Sequence, residues 1–169
     1  MARYRSPAPG KSPYITADGF RALQHEAKAL WSRRQRVTQA LAAAAAEGDR
    51  SENAEYIYRK KQLREIDRRI RYLQKRLPEL KVVRQAPADR DRVYFGAWVT
   101  LETEDGEQLT YRIVGADETD PKRGLISVDS PMGRSLLKRT RNEDVAVPTP
   151  VGVADYAVID IAYVPDGEF

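Results

Sequence analysis

The chain has 169 residues, with 29 Lys or Arg, 25 Asp or Glu, a single His and no Cys. That length is enough for one medium domain or two small ones, and a hydrophobic content of 41% excludes a low-hydrophobicity disordered chain. The lack of Cys excludes a disulfide framework and thiolate-held zinc or iron–sulfur centres, while the lone His25 excludes multi-histidine metal sites.

No run approaches the roughly 18 apolar residues of a membrane span. The start, MARYRSPAPGKSPY, is basic but lacks the apolar segment of a signal peptide. A cytoplasmic location is the expectation. The formal net charge of +4 conceals a split. Residues 1–84 carry 20 Lys or Arg against 9 Asp or Glu, whereas residues 85–169 carry 9 against 16. Two modules with different partners are implied. The basic half suits a polyanion such as nucleic acid, and the acidic half suits a protein.

Residues 1–13, with Pro7, Pro9, Gly10 and Pro13, read as a flexible arm. Thr16 is placed to cap a helix that begins at Ala17. Phe20, Leu23, Ala27, Leu30, Arg34, Val37, Leu41 and Ala44 then recur in alternating steps of three and four, the spacing of a coiled-coil seam. The Ala42–Ala46 run extends the helix by propensity, and Gly48 is the expected break. Asp49 or Ser51 is the expected cap of a second helix, and Asp49 with Glu52 has capping-box spacing. The second seam runs Tyr56, Arg59, Leu63, Ile66, Ile70, Leu73, Leu77, Leu80, with Pro78 ending the regular helix near Leu77.

Two such helices with a short connection fold back as an antiparallel hairpin over residues 14–84. Arg34 and Arg59 interrupt the two seams, so either they snorkel outward or they mark a less stable distal half. The hairpin satisfies its own seam, which makes a monomer the simpler expectation. It is too thin to enclose an active site, so its distinctive part is the tip.

Residues 85–92 form a polar linker containing Pro87. The period changes to two in Arg92–Glu104, where Val93, Phe95, Ala97, Val99 and Leu101 fall at every second position. Asp105-Gly106 signals a hairpin turn, and Gln108–Val114 is the return strand. A short strand over Gly124–Asp129, one or two helical turns over Pro131–Arg139, and strands at Val145–Val147 and Tyr156–Tyr163 complete a second domain over 93–169. The fold class is α+β: a long helical hairpin followed by a small antiparallel sheet with one short helix.

Four acids, Glu47, Asp49, Glu52 and Glu55, fall within nine residues at the end of an otherwise basic rod. Helix capping alone accounts for Asp49 and Glu52, but not for a cluster at the far end of a rod. Carboxylates are hard oxygen ligands suited to Mg²⁺, yet two of them cannot build a tight cage. They can complete a site supplied mostly by a partner. Along the second helix Lys60, Arg64, Arg68, Arg71 and Lys75 share one face, Lys61, Arg69 and Arg76 widen it, and Arg33 and Arg36 add charge from the first helix. Such a band is either a solvated face or a phosphate-facing one. Tyr56 and Tyr58 can stack on a base or pack against the seam, and Tyr56, at a seam position, is read as packing.

GDRSENAEY (48–56), YRKKQLREIDRRIRYL (58–73), VYFGAWVTLE (93–102), ISVDSPMGRSLL (126–137) and TPVG (149–152) occur in an order that resembles the bacterial Gre family of transcript cleavage factors, specifically its GreB branch. The resemblance covers residues 14–165. It implies a hairpin that enters the secondary channel of RNA polymerase and a C-terminal domain similar to FK506-binding proteins that docks on the β′ rim coiled coil. By that resemblance Asp49 and Glu52 act on the polymerase's shared Mg²⁺, with no tightly bound cofactor of the protein's own. Backtracked RNA is then cut by the polymerase, so the chain is an activator and not an enzyme. Ser51, Asn53 and Glu55 take positioning roles at the tip. Lys60, Lys61, Arg64, Arg68, Arg71 and Lys75 contact the extruded RNA 3′ segment. Asp129, Ser130, Pro131 and Met132 form the docking loop, although the same four residues also read as a turn and cap before a short helix. The serious rival is a channel-binding regulator that does not stimulate cleavage. A freestanding nuclease lacks the necessary His and acids, and a plain coiled coil or RNA chaperone leaves the acidic tip unexplained.

Overall fold

The computed structural model describes residues 10–50 and 52–165. Phe20–Leu80 form one unit, and the described residues up to Gly19 and from Lys81 onward form another. The expected hairpin span of 14–84 therefore loses both of its ends to the sheet unit. The physical reason is a parallel strand pair. Tyr14–Thr16 (β1) runs beside Lys81–Val83 (β2) in the register Tyr14↔Lys81, Ile15↔Val82, Thr16↔Val83. Three-residue strands carry too little alternation to be seen in sequence. Ile15 and Thr16 are buried, and Glu118 anchors them. Its carboxylate accepts from the Thr16 backbone N–H at 2.8 Å, from the Thr16 hydroxyl, and from the Gly115 N–H at 2.9 Å.

Helix α1 (Ala17–Ala46) starts where expected, with the Gly19 N–H donating to Thr16 Oγ1 at 3.1 Å. Helix α2 (Ala54–Arg76) leads into a 3-10 turn at Leu77–Glu79 that contains Pro78. In the hairpin unit every seam residue read from the sequence is buried or half-buried, with Leu23, Val37, Ala44, Ile66, Ile70 and Leu73 the most enclosed. Burying each such Leu, Ile or Val side chain is worth about 1.5–3 kcal/mol, which stabilises helices that would be marginal alone.

Cross-helix pairs fix the antiparallel sense. Arg69 grips Glu26 through two bonds of 2.6 and 2.8 Å, and Arg34 Nε donates to Asp67 Oδ1 at 2.6 Å. Arg34 thus points its guanidinium at the opposite helix and does not snorkel away from it. The opposite helix supplies its counter-charge. Arg59 is held within its own helix by Glu55 Oε1 at 2.7 Å and Gln62 Oε1 at 3.2 Å.

In the sheet unit, Trp98–Thr103 (β3), Gln108–Val114 (β4), Leu125–Ser127 (β5), Asp144–Thr149 (β6) and Gly152–Ala162 (β7) form one sheet of order β5-β4-β3-β7-β6. Asp105-Gly106 makes the expected turn between β3 and β4, with Gly106 at φ 80°. The expected strand over Arg92–Glu104 begins only at Trp98. Gly96 adopts φ 86° and breaks the extended run, although Val93 and Ala97 keep their buried faces. The sheet is not antiparallel throughout, because β5 pairs with β4 in parallel. The connection through a 3-10 turn at Pro121–Arg123 returns the chain in the same direction. Helix α3 (Pro131–Leu136) contributes Leu136 to a core shared with Val99, Leu101, Ile113, Val145 and Val158.

Candidate functional site at the hairpin tip

The tip is the loop between α1 and α2. Its first bond is Glu47 N–H to Ala44 O at 3.2 Å, after which Gly48 at φ 138° turns the chain. A Cβ at Gly48 would meet nothing within 4 Å, so backbone conformation and not space is what requires glycine there.

The cap of α2 is Asn53, not Asp49 or Ser51. Asn53 Oδ1 accepts from the Tyr56 N–H at 3.0 Å, and its Nδ2 donates to Ala44 O at 2.8 Å. One amide therefore satisfies the end of α1 and the start of α2 together. A carboxylate could do only the second, because it has no donor.

Asp49 and Glu52 both lie exposed on the tip loop. Ser51, assigned a positioning role, lies outside the described residues. Glu55 sits in the first turn of α2 and pairs with Arg59. Tyr56 is half-buried at its seam position, with Arg50 Cζ 5.8 Å and Lys60 Nζ 5.9 Å from its ring centroid.

Among the described residues no group of three or more His, Cys, Asp or Glu is placed to hold a metal ion. Asp49 and Glu52 offer two hard carboxylates at the tip. Two carboxylates suit a magnesium ion only where other ligands complete its coordination sphere.

Lys60, Lys61, Arg64, Arg68, Arg71 and Lys75 are all exposed on α2. Two cations expected to widen this band do not. Arg69 is engaged by Glu26, and Arg76 is buried to 7% exposure with Glu79 Oε2 at 3.6 Å from its Nη1. Arg69 reaches across to the partner helix, whereas Arg76 is withdrawn from solvent and matched by a carboxylate three residues further along its own segment.

In the sheet unit, Asp129–Met132 form the entry to α3. Ser130 caps it, accepting from the Gly133 N–H at 3.0 Å, and Pro131 occupies the first turn. Asp129 Oδ2 accepts from the Ser12 N–H at 2.8 Å, and Met132 packs on the core. Pro131 is exposed and the other three are half-buried.

Residues 13–82 match the family model described as transcription elongation factor, N-terminal, and residues 87–163 match that described as transcription elongation factor, GreA/GreB, C-term. The chain is 56% identical over 166 residues to transcription elongation factor GreB of Pseudomonas aeruginosa, covering 98% of this chain and 99% of the relative. It is 54% identical over 165 residues to transcription elongation factor GreB of Xanthomonas axonopodis pv. citri, covering 96% and 98% of the two chains. The crystal structure of GreA factor homolog 1 of Thermus thermophilus aligns over 90% of this chain and 99% of its own, at 23% identity and a TM-score of 0.42.

Proposed function

The chain belongs to the GreA/GreB family of transcription elongation factors, in its GreB branch, and from that premise we propose that it reactivates backtracked RNA polymerase by stimulating cleavage of the nascent RNA. The hairpin enters the polymerase secondary channel tip first. Asp49 and Glu52 are the residues delivered. The docking loop Asp129–Met132 seats the sheet unit on the β′ rim coiled coil, in the bacterial cytoplasm.

The observation that carries this reading is the state of the two tip acids. Both are exposed at the loop between the helices, where a different residue, Asn53, caps α2, so their carboxylates face outward at the end of the rod. Asp49 and Glu52 would hold the weakly bound magnesium ion jointly with the polymerase's own carboxylates. That ion, when bound, supplies Lewis-acid stabilisation of the attacking water and of charge developing on the phosphate. The tip carboxylates contribute oxygen ligands and accept hydrogen bonds from that water. The exposed cations of α2 offset the negative charge of RNA phosphates along the rod. The two-carboxylate donor set also explains why the activity resides in the polymerase and not in this chain.

The test is a cleavage assay on backtracked complexes with Asp49→Asn/Glu52→Gln. The variant is expected to bind polymerase as the unaltered protein does and to stimulate no cleavage. Full cleavage by the variant at limiting Mg²⁺ would overturn the assignment. If the unaltered protein bound and only inhibited, the channel-binding regulator would replace this reading.

A further inference from the structure

Two large apolar side chains stand exposed in succession one turn from the tip. Ile57 is 52% exposed and Tyr58 is 56% exposed. Neither belongs to the seam. Exposed β-branched and aromatic residues in the first turns of a helix gain nothing from propensity or burial.

Their placement relative to the cations is specific. Ile57 continues the line of Lys60, Arg64, Arg68, Arg71 and Lys75 toward the tip at the same helical spacing. Lys61 lies four residues beyond Ile57 and three beyond Tyr58, so it adjoins both. The Tyr58 ring is also held in place. Arg59 Cζ lies 5.4 Å from its centroid, and Arg59 is itself fixed by Glu55 Oε1 at 2.7 Å and Gln62 Oε1 at 3.2 Å. An anchored guanidinium against an aromatic ring leaves the rest of the ring as a preorganised platform.

We infer that Tyr58, with Ile57 beside it, is a base-contacting platform for the single-stranded RNA extruded from the polymerase. Tyr58 stacks on one base while Lys60 and Lys61 take the adjoining phosphates. The partner class follows from charge. An aromatic face next to closely spaced exposed cations is complementary to single-stranded nucleic acid, whose bases stack and whose phosphates need neutralising. The inference rests on the proposed function and names how the RNA strand is gripped near the tip. In this role Tyr58 is a binding residue, with no part in the bond-breaking step.

The experiment uses polymerase complexes assembled with RNA whose 3′ segment is mismatched to the template, either normal or abasic at the extruded positions. Tyr58→Ala is expected to slow cleavage of the normal RNA by about fivefold to tenfold, in keeping with the loss of one stacked base, whereas Tyr58→Phe keeps the rate. On abasic RNA the unaltered protein and Tyr58→Ala should act alike, with equal polymerase affinity throughout. Equal loss on both RNAs together with weaker polymerase binding would assign Tyr58 to the channel wall and overturn the inference, as would no loss on either. A second readout does not depend on cleavage. With Tyr58 replaced by p-benzoylphenylalanine, irradiation is expected to label the RNA, and labelling of polymerase subunits alone would also overturn it. Absent cleavage with labelled RNA would count against the proposed function while leaving the RNA platform standing.

Discussion

Tyr163 illustrates how one side chain can tie together segments far apart in sequence. Its hydroxyl donates to Arg92 O and accepts from the Tyr94 N–H at 2.9 Å, joining the end of the last strand to the segment that precedes β3. Burial pushes the phenol above its usual range, against a smaller downward effect of the Tyr94 backbone bond. A group whose folded pKa is raised contributes stability that is complete below the unfolded value, about 10 for Tyr, and is lost as pH rises through the folded value. Urea midpoints should therefore fall on alkaline titration above about pH 10, and Tyr163→Phe should remove that part of the fall. At neutral pH the same substitution should cost about 1–2 kcal/mol through the two backbone groups it orphans. None of this was visible beforehand. A Tyr at the end of an alternating run reads only as a strand residue, and its hydrogen-bond partners lie some seventy positions away.

At the scale of elements, the two helices and their seam were readable because a repeat of three and four residues specifies a buried stripe locally. The loop between them was not, because several polar residues in Gly48–Asn53 were each chemically able to cap α2. Asn53 prevails by having both a donor and an acceptor. Asn53→Ala should therefore destabilise the hairpin by about 1–2 kcal/mol, the loss of a cap and of a cross-loop bond. Asn53→Asp, which keeps the acceptor but not the donor, should fall between the two in a thermal melt followed by circular dichroism. Equal stability of all three proteins would refute the bridging role. The fates of Arg69 and Arg76 were equally hidden. Spacing put them near the exposed band, and only the presence of Glu26 across the hairpin and the burial of the Arg76 stem took them out of it.

For the whole molecule, the division of charge is matched by a division of structure. The hairpin unit is one continuous stretch, Phe20–Leu80, whereas the sheet unit is assembled from chain on both sides of it. Among the described residues the chain has no cluster of metal-binding side chains, and His25 is its only imidazole. Incubated with RNA and Mg²⁺ but without polymerase, the protein should cut nothing, as judged by gel analysis of end-labelled RNA. Cleavage under those conditions would place a complete active site within this chain.

By itself the sequence determined what depends on short-range periodicity and steric rules: two amphipathic helices, a glycine-broken acidic tip, a Pro-terminated second helix and the β3–β4 hairpin. The Gre resemblance, resting on motifs long enough to be specific, added a family that the comparisons bear out. Only the tertiary structure decided the parallel pairs β1–β2 and β4–β5, the Glu118 anchor on Thr16, the residue that caps α2 and the cations left exposed beside Ile57 and Tyr58. The reason is physical. Periodicity states which face of an element is buried, but a strand's neighbour, a polar atom's partner and a charge's counter-ion come from elsewhere in the chain, and folding alone brings them together.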